Sequence, residues 1–145
     1  MTAIKFDQLY STDPTVTSYF GNLNTNNNHG ALMHAEVVNE VQIQMLKATA
    51  ESNTAKNHGG LFSFDNVGKY TLTIDQCTIT GNSATFGSGG LVYSSSTTSD
   101  TKVYISRTTT LNNNAKTDGG LVYLGGTNVN WLTIDSSKLQ TQMSS

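Results

Sequence analysis

The chain has little of what many functional classes of protein require. It has 145 residues, a single cysteine and 12% charged residues, with a formal net charge of -2. A lone Cys77 excludes an intramolecular disulfide. The small charge gives no electrostatic reason to expect nucleic acid as a partner. No apolar run approaches the length of a membrane-spanning helix, so membrane insertion is not expected either.

Signals of processing are also scarce. Residues 1–7 contain no apolar segment typical of a secretory signal peptide. No Asn-x-Ser/Thr sequence occurs, so N-glycosylation is not expected. Cys77 lies in an alternating apolar stretch, which favours a buried, unreactive thiol. The length fits one domain, over residues 1–145.

What the chain does have is a repeat of about 30 residues. Gly-Gly-Leu occurs at positions 59–61, 89–91 and 119–121, and a degenerate Gly-Ala-Leu occurs at positions 30–32. A fixed period of this length is typical of stacked, repeated structural units.

Each repeat contains three short segments that favour β-strands. An apolar run follows the Gly doublet, an alternating segment comes next, and a third segment ends in a polar turn. We align the alternating segments as residues 41–43, 72–74, 103–105 and 132–134. This pattern predicts a right-handed parallel β-helix of about five coils, with stacked strands about 4.8 Å apart. We expect the coils to begin near Ala3, Ala31, Gly60, Gly90 and Gly120.

Two other structures fit parts of the chain less well. Residues 37–51 are rich in Glu, Gln, Met, Lys and Ala, which favour helix locally, but their alignment with later strands favours strand. Residues 77–82 fit the strand-and-Asn pattern of a leucine-rich repeat. The Gly-Gly strand that follows argues against that family.

The motif Ile79-Thr-Gly-Asn82 is followed by Gly89-Gly90-Leu91-Val92. This pairing resembles the Phe-x-x-Asn and Gly-Gly-Ala-Ile repeats of the polymorphic outer membrane protein family, best known as chlamydial surface autotransporters. The resemblance covers residue 30 to about residue 143, although Ile79 stands where the family has Phe. It implies a right-handed parallel β-helix, an extracellular or cell-surface location and a role in adhesion.

Stacking makes residues one period apart neighbours, so candidate sites are read as columns. Three polar columns occur: His29, His58, Ser88 and Asp118; Glu36 and Asp65; and Asp75, Ser106 and Asp135. The first fits a metal pair or a nucleophile with its base, the second a shared proton or a cation, and the third the carboxylate spacing of an inverting glycosidase. A polar turn or a solvated surface is the simpler interpretation of each. We therefore predict no catalytic residue, no bound metal and no cofactor.

A further column continues through the whole chain. Its members are Asn24, Asn53, Asn82, Asn113 and Gln142. Stacked side-chain amides can each donate to the next and accept from the last. We predict a structural amide ladder.

The two ends of the chain suggest assembly. An open solenoid exposes strand edges and apolar core at both ends. Residues 134–145 align with those from residue 74 and stop before the next Gly doublet, while Ala3-Ile4 matches Ala31-Leu32. A second copy is then expected to continue the first in phase, with Ala3-Ile4 on Gly120-Leu121 of its neighbour. The predicted interface consists of Ala3, Ile4, Phe6, Leu121, Leu139, Thr141 and Met143.

Three functional hypotheses follow. The leading one is a structural protein, and not an enzyme, that polymerises head to tail with itself into a filament or surface fibre. The second is a repeat segment of a cell-surface adhesin whose partner is a glycan or a host surface. The third is a carbohydrate-active β-helix enzyme.

Overall fold

The chain folds as an all-β solenoid of parallel sheets. The computed structural model describes residues 4–5, 18–21, 24–25, 29–36, 40–95, 100–125, 130–140 and 143–144. These residues form nineteen strands and no helix, and none of them belongs to a helix able to cross a membrane. The predicted parallel β-solenoid is therefore confirmed.

The strands follow one another in sets of four. The first set is β1 (Ile4–Lys5), β2 (Ser18–Gly21), β3 (Asn24–Thr25) and β4 (Met33–Glu36). The second is β5 (Val41–Leu46), β6 (Ala48–Glu51), β7 (Thr54–Ala55) and β8 (Phe62–Asp65). The third is β9 (Lys69–Asp75), β10 (Thr78–Thr80), β11 (Ser83–Ala84) and β12 (Val92–Ser94). The rest are β13 (Asp100–Ser106), β14 (Thr109–Leu111), β15 (Asn114–Ala115), β16 (Val122–Leu124), β17 (Asn130–Asp135), β18 (Lys138–Gln140) and β19 (Met143–Ser144).

Strands one period apart pair in parallel and form four sheets. Sheet A contains β1, β5, β9, β13 and β17, and sheet B contains β2, β6, β10, β14 and β18. Sheet C contains β3, β7, β11, β15 and β19, and sheet D contains β4, β8, β12 and β16. The prediction of three strands per repeat was wrong by one. The strands of sheet C have only two residues, which is too short for an alternating pattern to be visible in the sequence.

The register of sheet A corrects one predicted alignment. Ile43 pairs with Leu72 and Met45 with Ile74, so residues 41–43 lie two positions away from their predicted partners. Three inward-facing residues alternate in β5, and alternation alone does not fix which two of them match the next strand. The later copies pair as predicted, with Leu72 on Val103 and Val103 on Leu132. Within residues 37–51, residues 41–46 and 48–51 are strands, as predicted, and not helix.

The core lies inside the solenoid and is built from the inward residues of each sheet. Leu72, Ile74 and Ile79 are fully buried, and the rings of Phe64 and Tyr70 stack with centroids 4.2 Å apart. Cys77 is buried with them, as predicted, and burial raises the pKa of its thiol. The same inward columns therefore hold the coils together along the axis.

The Gly doublet has a steric cause. Gly89 has φ +74, a left-handed conformation that glycine adopts without strain. A Cβ on Gly90 would lie 2.1 Å from the carbonyl oxygen of Gly120 in the next repeat. The first glycine turns the chain, and the second lets successive coils approach.

Candidate functional site

All three histidines of the chain lie together beside sheet D, with His29 and His58 in the turn before the Gly doublet and His34 in β4. The Gly30 amide donates to the His58 carbonyl oxygen at 2.9 Å, which stacks one turn on the next. The rings of His29 and His58 therefore lie 5.1 Å apart, as the period predicts. The ring of His34, in β4, is also 5.1 Å from that of His29. The period does not reveal His34, because its partner in the next strand is Ser63.

Two carboxylates complete this cluster. Glu36 pairs with Asp65 across β4 and β8, as predicted. Asp65 Oδ2 lies 3.5 Å from His29 Nδ1 and 3.6 Å from His34 Nδ1. Glu36 Oε2 lies 3.6 Å from His34 Nε2, on the other side of that ring. The sequence separates these groups into two columns, whereas the fold places them in one cluster.

The cluster lines a surface pocket, and hydroxyl groups hydrogen-bond to its Asp65 carboxylate. His29, His34, Glu36, Asp65 and Asn66 line the pocket, whose volume is about 390 Å³. The hydroxyl groups of Ser95 and Ser63 donate to Asp65 Oδ1 and Oδ2, at 2.5 and 3.3 Å. Nδ1 of His29 is buried and has no hydrogen-bond partner among the described residues. The carboxylate is therefore fixed in place, while one imidazole nitrogen beside it is available.

His58 differs from the other two histidines. Its Nδ1 accepts a hydrogen bond from the Ser88 backbone amide at 3.0 Å. Burial, and next the neighbouring His29, lowers the pKa of His58, with Asp65 opposing. Its ring stacks on Tyr93 with centroids 4.1 Å apart. His58 thus lies between His29 and Tyr93 in a row of rings, and its Nδ1 is already engaged.

One member of the third predicted column, Asp75, forms an ion pair with Arg107. Ser106 lies between Asp75 and Asp135, as the period predicts. Arg107 Nε donates to Asp75 Oδ1 at 2.9 Å, and the Ser106 hydroxyl donates to the same oxygen at 2.7 Å. The hydrogen bond from Arg107 is the main reason why the pKa of Asp75 lies below its ordinary value. This ion pair was missed, because Arg107 lies one position outside the column. It engages Asp75, which argues against a role for that carboxyl as a catalytic acid.

The amide column forms a continuous chain of hydrogen bonds over its central members. Asn53 Nδ2 donates to Asn82 Oδ1 at 2.8 Å, and Asn82 Nδ2 donates to Asn113 Oδ1 at 2.9 Å. All three side chains are fully buried. Asn24 does not belong to the column, because it pairs with Thr54 and not with Asn53. The step from β3 to β7 is 30 residues, one more than the step from Asn53 to Asn82.

Four predicted site residues lie outside the described part of the chain: the ladder residue Gln142 and the interface residues Ala3, Phe6 and Thr141. Met143 pairs with Asn114 through its backbone in sheet C.

Ile4 occupies a different column from the predicted one. It pairs with Val41 in sheet A, so the match of Ala3-Ile4 to Ala31-Leu32 was wrong. Two apolar residues are too short a pattern to fix a phase across loops of unequal length. Stacking of Ile4 on Leu121 of a second copy is therefore not supported, and Leu121 itself is buried, with 7% exposure.

No family model, curated protein or solved structure matches this chain.

The last strands expose residues that belong to core columns. Leu132, Ile134 and Leu139 are 45%, 38% and 42% exposed. The residues preceding the first two in their columns, Val103 and Ile105, are 0% and 1% exposed. The C-terminal face of the described solenoid is therefore an apolar surface with the side-chain pattern of the interior.

Proposed function

We propose that this protein is structural and that it assembles end to end through the open faces of its solenoid. The observation that carries the proposal is the exposure of Leu132, Ile134 and Leu139 in columns that are buried one coil earlier. A further coil would cover these side chains in the way that β17 and β18 cover β13 and β14. A second copy of the chain can supply that coil.

The energetics favour a contact that combines apolar burial with strand pairing. Burying a whole Leu or Ile side chain contributes about 1.5–3 kcal/mol. Covering three that are about two-fifths exposed contributes about 2–4 kcal/mol, which is small beside the cost of association. The edges of β16, β17, β18 and β19 add backbone donors and acceptors in the same parallel geometry. The contact is heterologous and does not close, so its product is a fibre.

The proposal includes a finer description of the fold. A right-handed path is what parallel strands joined within one sheet adopt in nearly all proteins. The five strands in each of sheets A, B and C support five coils. At about 4.8 Å for each coil, the axial repeat of a filament is about 24 Å. The motif resemblance to polymorphic outer membrane protein repeats adds a cell-surface setting to this proposal.

The test compares the wild-type chain with variants of its exposed apolar residues. Light scattering over a range of concentrations should show growth of the wild-type species, and electron micrographs should show filaments with the expected repeat. Leu139→Lys should remain monomeric with an unchanged circular dichroism spectrum. Phe86→Lys is the matched control, because Phe86 is 68% exposed but lies in a turn on the side of the solenoid.

Two results would contradict the proposal. One is a wild-type chain that stays monomeric at every concentration. The other is assembly of Leu139→Lys that equals assembly of Phe86→Lys. A monomer that binds glycans would favour the adhesin hypothesis instead.

A further inference from the structure

We propose that His29, His34 and Asp65 bind a divalent transition-metal ion of the zinc type. One ligand atom from each of the three side chains lies within 4.8 Å of the other two. Zinc bonds of about 2.0–2.2 Å in tetrahedral geometry place ligand atoms roughly 3.4 Å apart. The distances from Asp65 Oδ2 to the two Nδ1 atoms, 3.5 and 3.6 Å, match two edges of that tetrahedron. The two imidazole ligand atoms lie within 4.8 Å of each other and would have to approach to close the third edge.

The donor set selects the class of ion. Two imidazole nitrogens and one carboxylate oxygen suit zinc, cobalt and nickel. Calcium and magnesium take oxygen ligands almost exclusively, so they should bind poorly here. Three protein ligands beside an open pocket leave a fourth position for water.

The surrounding groups orient the ligands as an outer shell does in known metal sites. A histidine that binds a metal through one nitrogen commonly donates its other N–H to a carboxylate. Glu36 stands 3.6 Å from His34 Nε2, the nitrogen opposite the proposed ligand atom. The hydroxyl groups of Ser63 and Ser95 hold Asp65. The buried Nδ1 of His29 has no hydrogen-bond partner among the described residues, and a metal ion would satisfy it.

His58 provides an internal control. It neighbours His29 in the ring stack, but its Nδ1 accepts the Ser88 amide and its ring packs on Tyr93. It is also absent from the set of converging ligand atoms. Of the three histidines in the chain, two should therefore respond to metal and one should not.

Calorimetric titration of the whole chain with zinc chloride tests the proposal. At about pH 7.5 the wild type should bind one ion saturably. His34→Asn and Asp65→Asn should abolish measurable binding. Glu36→Gln should weaken binding about tenfold to a hundredfold through the orientation of His34. His58→Asn, whose amide oxygen can still accept the Ser88 N–H, should bind as the wild type does.

Nitrogen NMR of the histidine rings in the wild type gives a result that needs no variant. Zinc should shift the ring resonances of His29 and His34 and leave those of His58 nearly unchanged. The proposal is overturned if no saturable binding occurs, or if a folded His34→Asn variant binds with wild-type affinity. Displacement of zinc by an equal concentration of calcium would overturn the assigned ligand class.

Discussion

Replacing Asn82 by alanine should destabilise the solenoid by about 2–6 kcal/mol. The Asn82 side chain lies in the interior, between Asn53 and Asn113, with no exposed surface. Its Oδ1 accepts from the backbone amide and from Nδ2 of Asn53, at 3.2 and 2.8 Å. Its Nδ2 donates to Asn113 Oδ1 at 2.9 Å and to the Ala50 carbonyl oxygen at 3.2 Å. Alanine removes all four hydrogen bonds.

The magnitude follows from that count. Each buried hydrogen bond contributes about 0.5–1.5 kcal/mol net, so the four together contribute about 2–6 kcal/mol. A domain of ordinary size is stable by about 5–15 kcal/mol, so the loss is a large part of the whole. Gln44→Ala is the matched control, because Gln44 carries an exposed amide on β5 and its loss should change stability by less than about 0.5 kcal/mol.

Urea denaturation measures the effect, with far-UV circular dichroism following all sheets and Trp131 fluorescence following the last strands. The double variant Asn53→Ala/Asn82→Ala should be more stable than the sum of the single effects predicts, because both substitutions remove the same hydrogen bond between the two side-chain amides. An Asn82→Ala variant within about 0.5 kcal/mol of the wild type would refute the reasoning, since that is the effect expected of an exposed site. Strict additivity of the two substitutions would refute the shared ladder.

Two other substitutions test the packing of the coils. Gly90→Ala should lower stability by more than about 3 kcal/mol in a thermal melt, because its Cβ would meet the Gly120 carbonyl oxygen; a melt equal to the wild type would show that the coils can separate there. Burial raises the pKa of Tyr70 to about 12. Its contribution to stability should therefore be complete below the ordinary pKa of about 10 and decline as the pH rises toward 12. Urea midpoints measured across that range should fall less for Tyr70→Phe than for the wild type, and an equal fall would contradict the assignment.

Features that recur as the same residue type in every repeat could be predicted from the sequence. The amide column at Asn53, Asn82 and Asn113 and the Gly doublets are of this kind, because each position meets its own chemical copy one coil away. Parallel stacking turns that recurrence directly into contact. The parallel stacking of the coils and the pairing of residues 72–74 with 103–105 therefore follow from the period.

Features that depend on diagonal neighbours or on loop length could not be predicted. His34 approaches His29 across two columns, and Arg107 reaches Asp75 from one position beyond its partner. A period compares only equivalent positions, so it does not show such contacts. The placement of Ile4 against Val41 depends on the length of the connection before β2, which has no counterpart in the later repeats.

The two proposed properties use different parts of the same strands, so they can hold at the same time. The proposed assembly uses the backbone edges of the terminal strands and the inward-column side chains that the last strands leave exposed. Metal binding uses side chains on the outer face of sheet D, where His34 is exposed while the next residue, Ala35, is buried with 4% exposure. Side chains alternate across a strand, and the hydrogen-bonding groups of its backbone lie in the plane of the sheet. A strand added beside β4 would therefore pair with its backbone and leave His34 and Asp65 facing the pocket.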